Sequence, residues 1–371
     1  MRDGSTLIAL QGYGKEPFAV LHLLTPECTL DRGFGTDGTA MITLPAGLRR
    51  AHAPGGREGL RFHVADASSG GGAFLAGSYE GEAVVGEVTS HGTVDHAFGE
   101  SGWAVLPSHG SAEGVVQGPS GRIIVNGGEI IYPGSATKAS EWVAALSPRG
   151  RLDRMFGGHG RVDFPEVSAF GIERIEVEPN GDILVDYGGG RMGCYQTKLS
   201  MLSPSGTPVP RFAGRLARFW NALGFSTFVG DVVIQGEGFT LIGTGQRTCL
   251  GAPHAAHPRR PGLLARFKPD GEPVGPTIRF PSEMFSGVSA FTEGHDIMLL
   301  TSQWEHEHEQ SLIAIEPNGS PARRFAIRGR TQISPPTHGT QGGPGELTLS
   351  VDHEFASTSG APELQLIRLR R

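Results

Sequence analysis

One motif returns along this chain. "LDRGFGTDGTAMITLP" from Leu30 comes back as "VDHAFGESGWAVLP" from Val94 and as "LDRMFGGHGRVDFP" from Leu152. Its aromatic position is Phe34, Phe98 and Phe156, with fainter echoes at Phe212 and Phe325, and the first four stand 64, 58 and 56 residues apart. A period of about 50–65 residues corresponds to one small sheet per repeat, and such a sheet buries its faces only by stacking on its neighbours.

Six residues ahead of each Phe stands a turn. It reads "SHG" at Gly92, "PRG" at Gly150, "PSG" at Gly206 and "PNG" at Gly319, with Cys28 in place of the glycine in the first copy and "PDG" at Gly271 in a copy whose Phe is lost. Pro presets φ for such a turn, and Gly accepts φ > 0 at its end. Each turn follows an apolar strand such as "FAVLHLL", "WVAAL" or "LLARF", and a second class of strands precedes these, from "STLIAL" at Ser5 to "ELTLSV" at Glu346. Each class has seven members. A unit therefore reads strand, Gly turn, strand, variable loop, strand, Gly turn, then "LDxxFGxxG" leading into a fourth strand.

The expectation is an all-β chain folded as a β-propeller, seven blades of about four antiparallel strands in one domain spanning residues 1–371. The first unit lacks its leading strand and the last lacks its "LDxxFG" tail, so six blades plus an N-terminal hairpin is the alternative.

The unit resembles the delta-60 repeat of bacterial proteins, whose pattern is similar to "PDGKILVAG", then a strand ending in "PDG", then "LDxSFGxxG". The likeness covers nearly the whole chain, strongly in units one to three and with "LD" and "FG" eroded in units four to seven. It implies a propeller-like array and carries no catalytic motif.

Gly33, Gly35 and Gly38 also spell G-x-G-x-x-G, the pattern of a loop that cradles a dinucleotide. That fingerprint needs a helix after it, and "TAMITLP" is a strand pattern, so these are turn glycines. Phe34, Phe98 and Phe156 are expected to pack between blades, and Asp31, Asp95 and Asp153 to fix a local turn by side-chain to backbone bonding.

The formal net charge of −6 argues against nucleic acid as a partner, and no run of 18 apolar residues is present to span a membrane. Four lysines among 32 basic residues fit a GC-rich bacterial genome. "MRDGSTLIAL" is not a signal peptide; the compartment stays open, with a secreted or cell-surface location if a leader once stood upstream.

Antiparallel order places both Gly turns of a unit at one end and the variable loops at the other. The longer loops are "GGEIIYPGSATKASE", "YGGGRMGCYQ", "GQRTCLGAPHAAHPRRPG" and "SQWEHEHEQS". Variable loops on a rigid scaffold are where binding resides. His254 and His257 in one loop and His306 and His308 in the next could converge on a divalent transition metal, or could be polar residues of solvated hairpin tips. No other cofactor is expected. Cys194 and Cys249 occupy equivalent loops and could form a disulfide or stay as thiols. Arg259 and Arg260 could hold an anion; Trp220 and Trp304 could stack on carbohydrate or join the core, and Trp142, inside a strand pattern, reads as core. The chain carries no G-x-S-x-G elbow, no H-E-x-x-H and no P-loop.

Three functions fit. The first is a non-catalytic binding scaffold that presents variable loops to a protein or to a small anionic or carbohydrate ligand. The second is a hydrolase or lyase with a site on the loop face, metal-dependent if the histidines converge. The third is a structural segment of a larger exported assembly.

Overall fold

The computed structural model describes residues 5–12, 18–27, 29–43, 61–79, 81–131, 138–164, 171–189, 196–224, 227–234, 238–246, 262–280, 288–293, 296–303, 306–316, 320, 322, 330–333, 338–341, 346–352 and 364–370. The chain divides into two compact units, chiefly Ser5–Arg191 with Lys198–Pro210 and Arg211–Arg371 with Met192–Thr197.

In the first unit β1 (Thr6–Gly12), β2 (Phe18–Leu24) and β3 (Thr39–Thr43) form one antiparallel sheet. A second contains β4 (Arg61–Ala67), β5 (Ala73–Tyr79), β6 (Glu82–Val88) and β7 (Trp103–His109). A third contains β8 (Ser111–Gln117), β9 (Ile123–Ile131), β10 (Lys138–Leu146) and β11 (Arg161–Phe164). β12 (Ile172–Val177), β13 (Ile183–Gly189) and β14 (Gln196–Leu202) follow side by side.

The second unit opens with α1 (Pro210–Ala222) and continues with β15 (Thr227–Ile234), β16 (Phe239–Gln246), β17 (Gly262–Phe267) and β18 (Pro273–Phe280). Thr197, at the start of β14, pairs with Phe228 of β15. Then come β19 (Val288–Glu293), β20 (Asp296–Gln303), β21 (His306–Ile315) and β22 (Arg330–Ile333) in one sheet, and β23 (His338–Gln341), β24 (Glu346–Asp352) and β25 (Leu364–Arg370) in another. Neighbours in sequence are neighbours in each sheet, as the strand–turn–strand unit requires.

The repeated motif is a lock between successive repeats. Phe34, Phe98, Phe156 and Phe212 are all buried, and burial of such a ring contributes about 1.5–3 kcal/mol. The Gly after three of them donates its N–H to the carbonyl just before the next repeat's turn glycine: Gly35 to His91 at 2.9 Å, Gly99 to Arg149 at 2.8 Å, Gly157 to Ser205 at 2.9 Å. The turn glycine then lies flat on the previous motif. A Cβ on Gly150 would stand 2.7 Å from Phe98 Cζ, and one on Gly206 would stand 2.6 Å from Gly157 N. Both glycines also have φ near +70° to +80°. "FG" and the "PxG" of the next copy therefore recur together because they touch.

The aspartates act as expected. Asp31, Asp95 and Asp153 each accept a hydrogen bond from the backbone N–H two residues on, from Gly33 and Ala97 at 2.9 Å and from Met155 at 3.0 Å. Arg122 ties the third motif further, with an ion pair to Asp153, a hydrogen bond to Pro204 O and its guanidinium carbon 5.4 Å from the Phe156 ring centroid.

Unit four departs from the expected strand. "PRFAGRLARFW" forms α1, because Phe212, Leu216, Phe219, Trp220 and Leu223 fall at helical spacing on one face. The helix still buries Phe212 fully, and Gly271 of the next turn packs on that ring, a Cβ there lying 3.0 Å from Phe212 Cδ2. With no Gly N–H after the ring, Arg215 supplies the missing donor. Its Nη1 donates to Asp270 O at 3.1 Å, the carbonyl just before the turn glycine, and its guanidinium pairs with the Asp270 carboxylate. That contact holds the Asp270 carboxyl below its usual range.

Candidate functional site

Three first strands share one irregularity at the end where the variable loops lie. In β4, Phe62 pairs with Gly77 and Val64 with Ala76, which leaves His63 over. In β8, Ala112 pairs with Gly127 and Gly114 with Asn126, which leaves Glu113. In β12, Ile172 pairs with Tyr187 and Arg174 with Asp186, which leaves Glu173. Each is a β-bulge, two residues against one, a device that re-aims a side chain and recurs beside functional sites. β8 lies against both β4 and β12, so the three bulges stand in a row at one end of the first unit.

Side chains of the preceding sheet hold the bulged start of β12. Glu141 of β10, only 5% exposed, accepts from Ile172 N at 3.4 Å through Oε2. Asn126 of β9, also buried, donates from Nδ2 to Ile172 O at 3.3 Å. Glycines make this approach open: a Cβ on Gly128 would lie 2.7 Å from Glu141 Oε1, and one on Gly171 would lie 3.4 Å from Glu141 Oε1 and 3.7 Å from Glu113 Oε2. A buried carboxyl and an exposed one thus meet over the Gly171 backbone. Burial, and then the charge of Glu113, push the Glu141 carboxyl up to about 7. Farther out on the same sheet Arg161 bridges Glu129 at 2.5 Å and Asp163 at 2.9 Å.

The second unit uses the same clasp without a bulge. Asp231 of β15 accepts from Val232 N at 2.8 Å and from Ala290 N of β19 at 2.6 Å. β15 pairs with β16 residue for residue throughout.

Of the residues singled out from sequence, His254, His257, Cys194, Cys249, Arg259, Arg260 and Trp304 lie outside the described residues. His306 opens β21 opposite Gln303, at the end of the β20–β21 hairpin, and His308 falls in the register shift before Gln310 pairs with Ser302; the two imidazoles lie outside the described side chains. The strands run farther than the loop segments suggested: β9 continues to Ile131 and β10 starts at Lys138. Trp142 is buried, as its strand pattern required, and Trp220 packs edge-on to Phe219 with centroids 4.9 Å apart. Among the described residues no group of three or more His, Cys, Asp or Glu stands close enough to hold a metal ion, and no helix is long and apolar enough to cross a membrane.

His63, Glu113, Glu141 and Glu173 carried no motif that sequence reading could seize. The one signal was a charged residue breaking an apolar alternation, as in "SAEGVV" and "IERIEV".

No family model matches the sequence, and no curated protein matches it. Solved structures match the fold. The acylaminoacyl peptidase of Pyrococcus horikoshii aligns with a TM-score of 0.53 at 9% identity, over 100% of this chain and 51% of that one. The β-propeller domain of the trilobed protease from Pyrococcus furiosus, described as having an open velcro topology, aligns with a TM-score of 0.50 at 8% identity, over 100% of this chain and 96% of the domain. Prolyl oligopeptidase B from Galerina marginata, bound to a 25mer macrocyclization substrate, gives 0.50 at 10% identity over 95% of this chain and 48% of its own. The chain spans about half the length of the two peptidases and nearly all of the isolated propeller domain. The fold is an all-β propeller.

Proposed function

We propose that this chain is a non-catalytic binding propeller that engages its partner at the loop end. The observation that carries the reading is the row of equivalent bulges at His63, Glu113 and Glu173. The lock at the opposite end repeats because packing demands it, whereas the bulge adds nothing to the sheet ladder and still recurs at the start of three successive first strands, each time at a titratable residue. Carboxyls at this mouth suit a protein surface or a carbohydrate, which offer N–H and O–H donors, better than an anion. The repeat likeness to delta-60 proteins belongs to the same reading, and the lock gives that pattern a physical reason.

The test is a photo-cross-linking amino acid placed at Glu113 or, separately, at Met155, which is 82% exposed beside the lock. In cells that make the protein, a discrete adduct from position 113 and none from 155 is expected; adducts from 155 alone would sink the reading.

A second reading is favoured by Glu141. A carboxyl near neutrality beside an ionised one is the arrangement of a general acid with an electrostatic partner, so a hydrolase or lyase on this face is the alternative. Its reaction would disappear in Glu141→Gln. The proposed metal of His254, His257, His306 and His308 belongs to this alternative, and saturable Zn²⁺ stabilisation lost in the His306→Ala/His308→Ala variant would support it. If the chain acts as the propeller domain of a larger protein, as the trilobed protease has one, Glu141→Gln leaves the reaction intact and the binding reading holds.

A further inference from the structure

The fifth repeat keeps its turn, ending at Gly271, but has Thr277 six residues on, where the first four have Phe. β18 accordingly starts straight from the turn and slips against β17. Arg266 pairs with Val274 and Leu264 with Ile278, so Ala265 alone faces residues 275–277. Gly275 has φ +72° and looks onto open space, and Pro276 beside it has no N–H to give to a ladder. The edge is therefore bulged and open where the ring has been lost.

Arg266 stands next to this bulge, paired with Val274 at its near end. On its other side it pairs with Thr240 of β16, which is buried. The guanidinium Nε and Nη2 are buried from solvent, and neither donates a hydrogen bond. Those two N–H groups form the edge that grips a carboxylate or a phosphoryl group through two parallel bonds. Three other partly buried arginines among the described residues are committed: Arg122 to Asp153 and Pro204 O, Arg161 to Glu129 and Asp163, and Arg215 to the carboxylate and the carbonyl of Asp270. Arg266 has no such acceptor, and a buried guanidinium without one is costly.

We propose that the Nε/Nη2 edge of Arg266 is an oxyanion site, taking the carboxylate or phosphoryl group of a small molecule admitted at the β18 bulge, Gly275–Thr277. Val274, 46% exposed beside the bulge, offers the ligand an apolar contact. The site belongs to the second unit and does not rest on the loop-end reading.

The test is thermal melting of the full chain in chloride buffer at fixed ionic strength, titrated separately with sodium phosphate and sodium acetate. A saturable rise in Tm is expected for the wild type, with phosphate alone pointing to a phosphoryl ligand, acetate alone to a carboxylate, and both to the shared chemistry. Arg266→Lys, which loses the two-pronged edge, should raise the half-saturating concentration at least tenfold. Arg266→Met should abolish the response while melting no lower than wild type in chloride, since it removes an unpaired buried charge. The proposal is overturned if neither anion shifts the wild type beyond the chloride control, or if Arg266→Met keeps the response; should that variant fail to fold, an unchanged Arg266→Lys response overturns it.

Discussion

Glu178 stands in the turn between β12 and β13, where Ser68 and Gly118 stand in the two preceding sheets. Its backbone closes the turn, N–H to Asp182 O and C=O from Gly181 N, both at 2.8 Å. The side chain is 0% exposed, and neither carboxyl oxygen has a hydrogen-bond partner. A Cβ on Gly118 would lie 3.2 Å from Val177 Cγ1, and one on Gly181 would lie 3.3 Å from Pro204 Cγ. The cation those turns carry, Arg122, is committed to Asp153 and Pro204 O. Burial first, and the Asp182 charge second, push the Glu178 carboxyl from 4.5 up to about 7.

A raised carboxyl favours the protonated fold. Its contribution is intact below the unfolded value and is lost as pH rises toward the folded one, because between the two the native state binds more protons than the unfolded. A shift of that size corresponds to about 3 kcal/mol once the native carboxyl ionises. Glu178→Gln keeps the shape and cannot ionise. Unfolding followed by calorimetry from pH 4 to 8.5 should find the variant nearly level with wild type at the acid end, progressively more stable from about pH 4.5 to 7, and ahead by a steady margin of about 3 kcal/mol at pH 8. A variant that is less stable at pH 8, or a gap that does not change with pH, would mean the carboxylate is ionised and solvated, and the reasoning would fail.

The lock makes a sharper contrast. Gly150→Ala sets a methyl 2.7 Å from Phe98 Cζ at φ +70° and should cost about 2–4 kcal/mol with faster amide exchange at Gly99, whereas Gly121→Ala, also left-handed but only 3.4 Å from Pro148 Cγ, should cost about 1 kcal/mol. Arg215→Met removes the side chain that stands in for a backbone donor; because the pair with Asp270 is substantially exposed, the loss should be under about 1 kcal/mol, and an NMR titration should find the Asp270 carboxyl returned upward to its ordinary range.

The repeat made the strand and turn order legible, because Phe, Gly and Asp at fixed spacing each answer to one physical demand: a buried ring, a positive φ, a side-chain bond to the chain two residues on. The helix at Pro210–Ala222 was misread because Phe212 keeps its place in the count while the residues after it change period, and a single echo outweighed five apolar positions at helical spacing. The bulges were illegible for another reason. A bulge is a mismatch between two strands, and the sequence of one strand, "SAEGVV", does not contain its partner's register. Glu141 and Glu178 look like ordinary surface acids in sequence; only the fold places one over Gly171 and closes the other inside a turn.

The places where the repeat erodes are where the chain becomes particular. In unit four the ring survives and the donor is replaced, so Arg215 restores the same bond to the carbonyl before the turn and the repeat remains closed on itself. In unit five the ring is gone, the outer strand bulges at Gly275, and Arg266, paired with Val274 beside the bulge, has two buried N–H groups unmet. A compensated loss leaves nothing for a ligand to satisfy. An uncompensated one leaves a defined hydrogen-bonding demand at a fixed place, and so the fifth repeat, which keeps its turn but has lost its ring, is where a ligand has most to gain by binding.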